Sequence, residues 1–119
     1  MGVLTDRCRR GGGKRPALNR GDVYDADLPI GAHPVVVVTR DRAIPVLRNV
    51  CVAVVTSTIR GTPTEVSVGP EEGLSRDSVV NCDDLVTLSK RVLSRHRGSL
   101  GPEAMRHLDD ALRIALGLD

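Results

Sequence analysis

The sequence predicts a mainly β domain: a small, strongly bent antiparallel sheet or partial barrel with one C-terminal helix packed against it. Three observations carry that expectation. Five or six short strand-like segments follow one another closely between residues 23 and 99. Turn residues punctuate them, among them Pro29, Gly31, Pro45 and the "GPEEGL" stretch. Apolar residues at helical three-and-four spacing gather only after Gly101. At 119 residues the chain suits one small domain.

The elements follow in order. In "RGDVYDADL", Val23, Asp25 and Asp27 alternate with Tyr24, Ala26 and Leu28, a period-2 pattern with an uneven apolar face. After the Pro29–Gly31 loop, residues 35–38 are four valines, the mark of a strand buried on both faces. Residues 49–58, "NVCVAVVTST", form a second central strand. Residues 64–68, "TEVSV", are short and alternating, and residues 77–82 make a further strand. One turn of helix is expected over residues 89–93, then an edge strand over 94–99 guarded by Arg95 and Arg97. Pro102 sits at the preferred first-turn position of the helix, and Glu103 lies near the positive end of its dipole. Met105, Leu108, Leu112, Ala115 and Leu116 make one apolar stripe, and Gly117 stops it.

Composition makes the core unusual. There is no Trp and no Phe, and Tyr24 is the single aromatic, so Val, Leu and Ala must fill the interior. So light a core favours a partner subunit, and a homodimer is expected.

The net charge of +2 conceals a split. Residues 1–20 carry six basic side chains against Asp6 alone, whereas the remainder holds eleven basic and fourteen acidic ones. Residues 1–19, with three consecutive glycines and no apolar period, read as a disordered basic leader ahead of a domain over 20–119. The leader is read as a solvated tail, or as upstream codons taken for protein, in preference to a nucleic-acid arm. Its "GGGK" lacks the spacing, the Ser/Thr and the preceding strand of a phosphate-binding loop. It has no apolar stretch suited to a secretory signal, and no later run is long enough to span a membrane. Cys8, Cys51 and Cys82 are odd in number and lack metal-ligand spacing, as suits reduced thiols in a cytoplasm. Cys51 and Cys82 lie in apolar runs and read as core filler. No metal site and no cofactor motif is visible.

Together these stretches resemble a known family. "RGDVYDADL", "GAHPVVVVTRD", "VAVVTSTIRG", "TEVSV", "GLSRDSVVNCDDLVTL" and "AMRHLDDALRIALGL" are similar, in order and spacing over residues 20–119, to the MazF/PemK toxins of bacterial toxin–antitoxin systems. The resemblance implies a small SH3-like, PemK-type barrel with a C-terminal helix. It also implies a homodimer and a metal-independent, sequence-specific endoribonuclease that cuts single-stranded RNA and so inhibits translation. The implied partner is a cognate, MazE-like antitoxin whose acidic extended segment blocks the active-site groove.

Two catalytic positions carry over. The family's threonine at the end of a central strand matches Thr56 in "VAVVTST". Its arginine, in a Gly-x-Arg-Pro stretch, is replaced here by His33, immediately before Pro34. The "KRP" at Lys14, Arg15 and Pro16 resembles that motif in letters only, because it precedes the "RGDVY" strand.

The chemistry tolerates the change. Metal-free RNA cleavage needs a base for the ribose 2′-hydroxyl, positive donors on the phosphoryl oxygens, and a proton for the leaving 5′-oxygen. Arginine clamps phosphate well but carries protons poorly, because it stays charged. Histidine titrates near neutrality and serves as base or acid. Thr56 orients the nucleophile or a phosphoryl oxygen, and Ser57 and Thr58 add donors.

A lone histidine is ordinarily a surface residue; its place before the central strand makes His33 a candidate. Otherwise the work falls to Arg40, Arg42 or Arg60 near predicted strand ends, each also an ordinary solvated charge. These arginines, with Thr39, Ser57, Thr58, Asp83 and Asp84, complete the candidate RNA-binding set. Asp83 and Asp84 either hold a base edge, orient His33, or cap the next turn. Two other functions remain open at this point. A same-fold gyrase poison would need a Trp-containing tail, which this chain lacks. A noncatalytic RNA- or antitoxin-binding relic is suggested by the missing arginine.

Overall fold

A computed structural model describes residues 18–118. Most of the expected leader, with Cys8, therefore lies outside the described residues. Leu18 packs against the core, and the Asn19 amide donates to Asp22 Oδ2 at 2.9 Å.

Six strands form one antiparallel sheet: β1 (Asp22–Leu28), β2 (Gly31–Val37), β3 (Asn49–Thr56), β4 (Glu65–Val68), β5 (Ser78–Ser89) and β6 (Leu93–Ser99). Their order in the sheet is β4–β5–β3–β2–β1–β6. The helix α1 (Pro102–Leu116) packs on β4 and β5.

The valine strand is buried on both faces, as expected of four β-branched residues without a polar alternate. Val36 joins Val23, Ala53, Val80 and Leu108 in the core beneath the helix. Val35 and Val37 join Tyr24, Ile44, Val52 and Leu93 in a separate core on the opposite face. Arg20 ties sheet to helix: its Nε donates to the Val38 carbonyl at 3.0 Å, and Nη2 pairs with Asp109 at 2.9 Å.

Three expectations are corrected. First, β5 does not end at residue 82. It runs on to Ser89 through a bulge in which residues 82–84 are extra, since Val54 faces Asn81 while Ala53 faces Leu85. The adjacent carboxylates read as a strand end, but a bulge accommodates them by leaving them out of the ladder. Second, the helix stripe is centred on Leu108 and Ala111, whereas Leu116 is 56% exposed. Leu116 is the last residue of the helix, whose packed side chains run from Ala104 only as far as Ala115. Third, Arg97 does not guard the edge; a bulge turns it inward. Val23 faces Gly98 while Tyr24 faces His96, leaving Arg97 as the extra residue. The single turn near residue 90 is a 3₁₀ turn, Lys90–Val92, begun by Ser89, whose hydroxyl accepts the Arg91 amide at 3.2 Å.

Of the two described cysteines, Cys82 is buried and Cys51 half-buried. Burial and the neighbouring Asp83 carboxylate push the Cys82 thiol up to about 11, and burial raises Cys51 as well. Both thiols stay protonated at neutral pH, consistent with packing roles.

Candidate active site

The site opens where a proline stops a ladder. Proline has no backbone N–H and cannot sustain strand pairing on both sides. The β2–β3 ladder pairs only Val35, Val36 and Val37, facing Val54, Ala53 and Val52. Extending that register by two residues brings His33 opposite Thr56, but without ladder bonds to close the gap. On its other side β2 stays paired with β1, so Ala26 still faces His33 and Asp25 faces Pro34.

A cavity of about 270 Å³ occupies this opening. His33, Thr56, Ser57, Ser75, Arg76 and Arg97 line it, over a floor that includes Val55 and Leu74. His33 and Thr56 are each half-buried. The Thr56 hydroxyl oxygen accepts the Thr58 amide at 3.1 Å, which fixes the oxygen at the strand end. The cavity therefore joins a titratable imidazole, a positioned hydroxyl and two guanidiniums over an apolar floor. That set can accept a proton, return one, and neutralise a phosphate.

The structure does not bring the other sequence candidates to this cavity. Thr39 lies six residues along from His33, roughly 20 Å at a strand's rise of about 3.3 Å per residue. Its hydroxyl accepts the Cys51 amide at 2.7 Å, substituting for a missing ladder bond. Arg40 and Arg42 are exposed in the loop beyond it. Arg60 is exposed in the β3–β4 loop, which Glu65 organises by accepting the Arg60 and Gly61 amides at 3.2 and 2.8 Å. Asp83 sits in the β5 bulge, where its carboxylate accepts the Thr64 hydroxyl at 2.6 Å and its amide donates to Asn81 at 3.0 Å. Asp84 beside it is exposed. Neither aspartate orients His33 nor caps a turn.

Arg76, Arg97, Ser75 and Ser78 are not among the sequence candidates. Arg97 is legible in sequence only as an edge charge, and the bulge that redirects it is a tertiary feature. Arg76 has a weak signal: a basic residue in a turn feeding a strand.

An adjoining cavity of about 590 Å³ shares Ser78 with the first and is lined by Ile59, Ser67, Glu71, Glu72 and Asp77 among others. Its acidic wall would repel a phosphate, whereas the smaller cavity is lined by guanidiniums. Among the described residues, no three His, Cys, Asp or Glu side chains gather so as to hold a metal ion. Among them, too, no helix is long and apolar enough to cross a membrane.

Residues 19–116 match the model of the PemK-like, MazF-like toxins of type II toxin–antitoxin systems. The chain belongs to that family. It is similar to a probable endoribonuclease, MazF5, of Mycobacterium tuberculosis: 41% identity over 99 residues, 82% of this chain and 91% of the relative. Its fold is similar to that of the Mycobacterium tuberculosis toxin MazF-mt6, with TM-score 0.78, 39% identity, and coverage of 82% of this chain and 98% of that one. It is similar also to an endoribonuclease from a mycobacterial species, solved in complex with its cognate antitoxin. There the TM-score is 0.80 and identity 36%, covering 87% of this chain and 98% of the other. Within this PemK/MazF-like fold, the cavity lies at the two positions carried over by resemblance, Thr56 and the β2 position held here by His33.

Proposed function

We propose that the chain is the toxin of a type II toxin–antitoxin pair and cleaves single-stranded RNA, with His33 and Thr56 at the reacting phosphate. Family membership supports the activity, as does the mycobacterial relatives' naming as endoribonucleases. The observation that carries the site assignment is the shared cavity of His33 and Thr56 at the end of the interrupted ladder.

The reaction follows from the groups present. The ribose 2′-oxygen attacks the adjacent phosphorus, the O2′–P bond forms, and the P–O5′ bond breaks. The 2′-hydroxyl proton passes to a base, and the leaving 5′-oxygen takes up a proton. His33 carries one of these protons, while the Thr56 hydroxyl orients the phosphoryl group. The products are a 2′,3′-cyclic phosphate and a 5′-hydroxyl. No step calls on a metal or a cofactor.

With Tyr24 packed in the core, base recognition rests on hydrogen bonds and guanidinium stacking rather than on aromatic platforms. The enzyme acts in the bacterial cytoplasm as a homodimer. Exposed Ile30, Ile59, Ile114, Leu116 and Leu118 leave apolar surface for partner contacts. The cognate antitoxin places an acidic extended segment over the cavity, and its carboxylates meet the exposed Arg76 at the cavity wall.

The test is incubation of the purified protein with a structured RNA pool in EDTA, followed by sequencing of the cut ends. Discrete cuts bearing 5′-hydroxyl ends are expected. Intact RNA at high enzyme concentration would sink the reading.

A further inference from the structure

An imidazole that moves a proton cannot also serve as a permanent positive charge on the phosphoryl oxygens. The cavity holds two guanidiniums that could, and they are not equivalent. Arg97 is committed: its Nε donates to the Gly73 carbonyl at 3.0 Å, and Nη1 reaches both Asp25 carboxylate oxygens at 3.1 and 3.3 Å. Asp25 thus already balances its charge, with both side chains mostly shielded from water. Arg76 is exposed at the cavity wall and makes no side-chain hydrogen bond or ion pair among the described residues.

We propose that Arg76 is the guanidinium that binds the scissile phosphate, and that Arg97 is a positioning residue for the turn that carries it. The proposal rests on the RNA-cleaving reading above and names the cation of that same cavity.

The turn is built for close docking. The 3₁₀ turn Pro70–Glu72 ends at Gly73, whose φ of +89° favours glycine. A Cβ at Gly73 would lie 2.0 Å from the Arg97 carbonyl oxygen, and one at Gly98 would lie 2.5 Å from the Glu72 carbonyl oxygen. Turn and β6 therefore meet backbone to backbone, and the Arg97–Gly73 hydrogen bond spans the same contact. Arg76 follows three residues later, and its carbonyl accepts the Ser78 hydroxyl at 3.1 Å. Its backbone is thus held on both sides while its side chain remains available. That geometry suits a donor fork that closes on a phosphate.

The experiment uses a random-sequence single-stranded RNA pool and its 2′-O-methyl counterpart, which binds without reacting. Arg76→Ala should leave the melting temperature unchanged. It should reduce the slope of log affinity against log salt on the 2′-O-methyl pool by about 0.7, the value of one single-strand phosphate contact. Cleavage of the RNA pool should fall by about 10²-fold or more, as for loss of a transition-state donor. Arg76→Lys should keep the slope and recover only part of the rate. Arg97→Gln should slow cleavage in the wild-type background but add nothing to Arg76→Ala, because it acts through Arg76.

An unchanged salt slope and rate in Arg76→Ala would overturn the phosphate assignment. Additive losses in the double variant would overturn the positioning role. If the wild-type protein leaves RNA uncut, the catalytic reading fails, while the salt slopes on the 2′-O-methyl pool still decide whether Arg76 grips phosphate.

Discussion

The two ends of β2 carry similar letters and different chemistry. One end presents His33, in one cavity with Thr56; the other continues into Thr39, Arg40 and Arg42. By residue type alone the Thr39 end is the richer, with two guanidiniums and a hydroxyl. In the fold Thr39, Arg40 and Arg42 line neither of the two cavities described above, and the Thr39 hydroxyl accepts the Cys51 amide. Nearby Asp41 is likewise used, accepting the Arg20 amide at 2.7 Å. At the His33 end, Pro34 stops the β3 ladder, and the turn before β5 supplies a wall. Of the two polar strand ends, the one that lines a cavity is the one where pairing fails and another segment encloses the gap.

That comparison can be broken, most severely, at His33. Removing a positioned proton carrier typically costs about 10²–10⁴-fold in rate, and His33→Ala should lose cleavage on that scale with the fold intact. His33→Arg sharpens the test, because arginine supplies charge without proton transfer. It should be slower than wild type, with a flatter pH–rate profile near neutrality. Equal or faster cleavage would show that the position works by charge alone.

Thr56→Val comes next. Loss of one positioned hydroxyl at the phosphate should slow cleavage by about 10²-fold. Wild-type turnover in that variant would make the Thr56 hydroxyl a turn-former for Thr58 and nothing more.

A third effect is read in stability against pH. The Cys82 thiol is held near 11 in the fold, above its ordinary value near 9. Above the ordinary value the unfolded chain loses this proton first, so the native state binds more protons and stability falls as pH rises. The contribution is complete below about pH 9 and disappears between there and about pH 11. Cys82→Ala should flatten that alkaline decline in a denaturant titration; an unchanged slope would place its cause elsewhere.

At the far end of β2 the effects should be structural and small. Thr39→Val should cost about 1 kcal/mol of stability by stripping the Cys51 amide of its acceptor, while catalysis is unchanged. Arg40→Ala and Arg42→Ala should each change cleavage by no more than about twofold, the range of ordinary surface substitutions. A large catalytic loss in either would return that end of the strand to the site.

The sequence by itself determined the fold class, the valine strand and the helix, because each is encoded by local period. Valine after valine over residues 35–38 reads as a strand buried twice, and Pro102 with Gly117 brackets one helix. Family resemblance placed Thr56 and the position of His33 by order along the chain. Tertiary structure decided the rest of the site, for reasons no local pattern records. The exit of Arg97 from the ladder depends on how β6 registers against β1, and a bulge has no periodic signature. Residues 82–84 resemble a strand end because their expulsion from the ladder depends on β3 resuming its pairing at Leu85. Arg76 lines one cavity with His33, on a turn that Gly73 and Gly98, 25 positions apart, let approach β6 backbone to backbone where a larger residue would hold them apart.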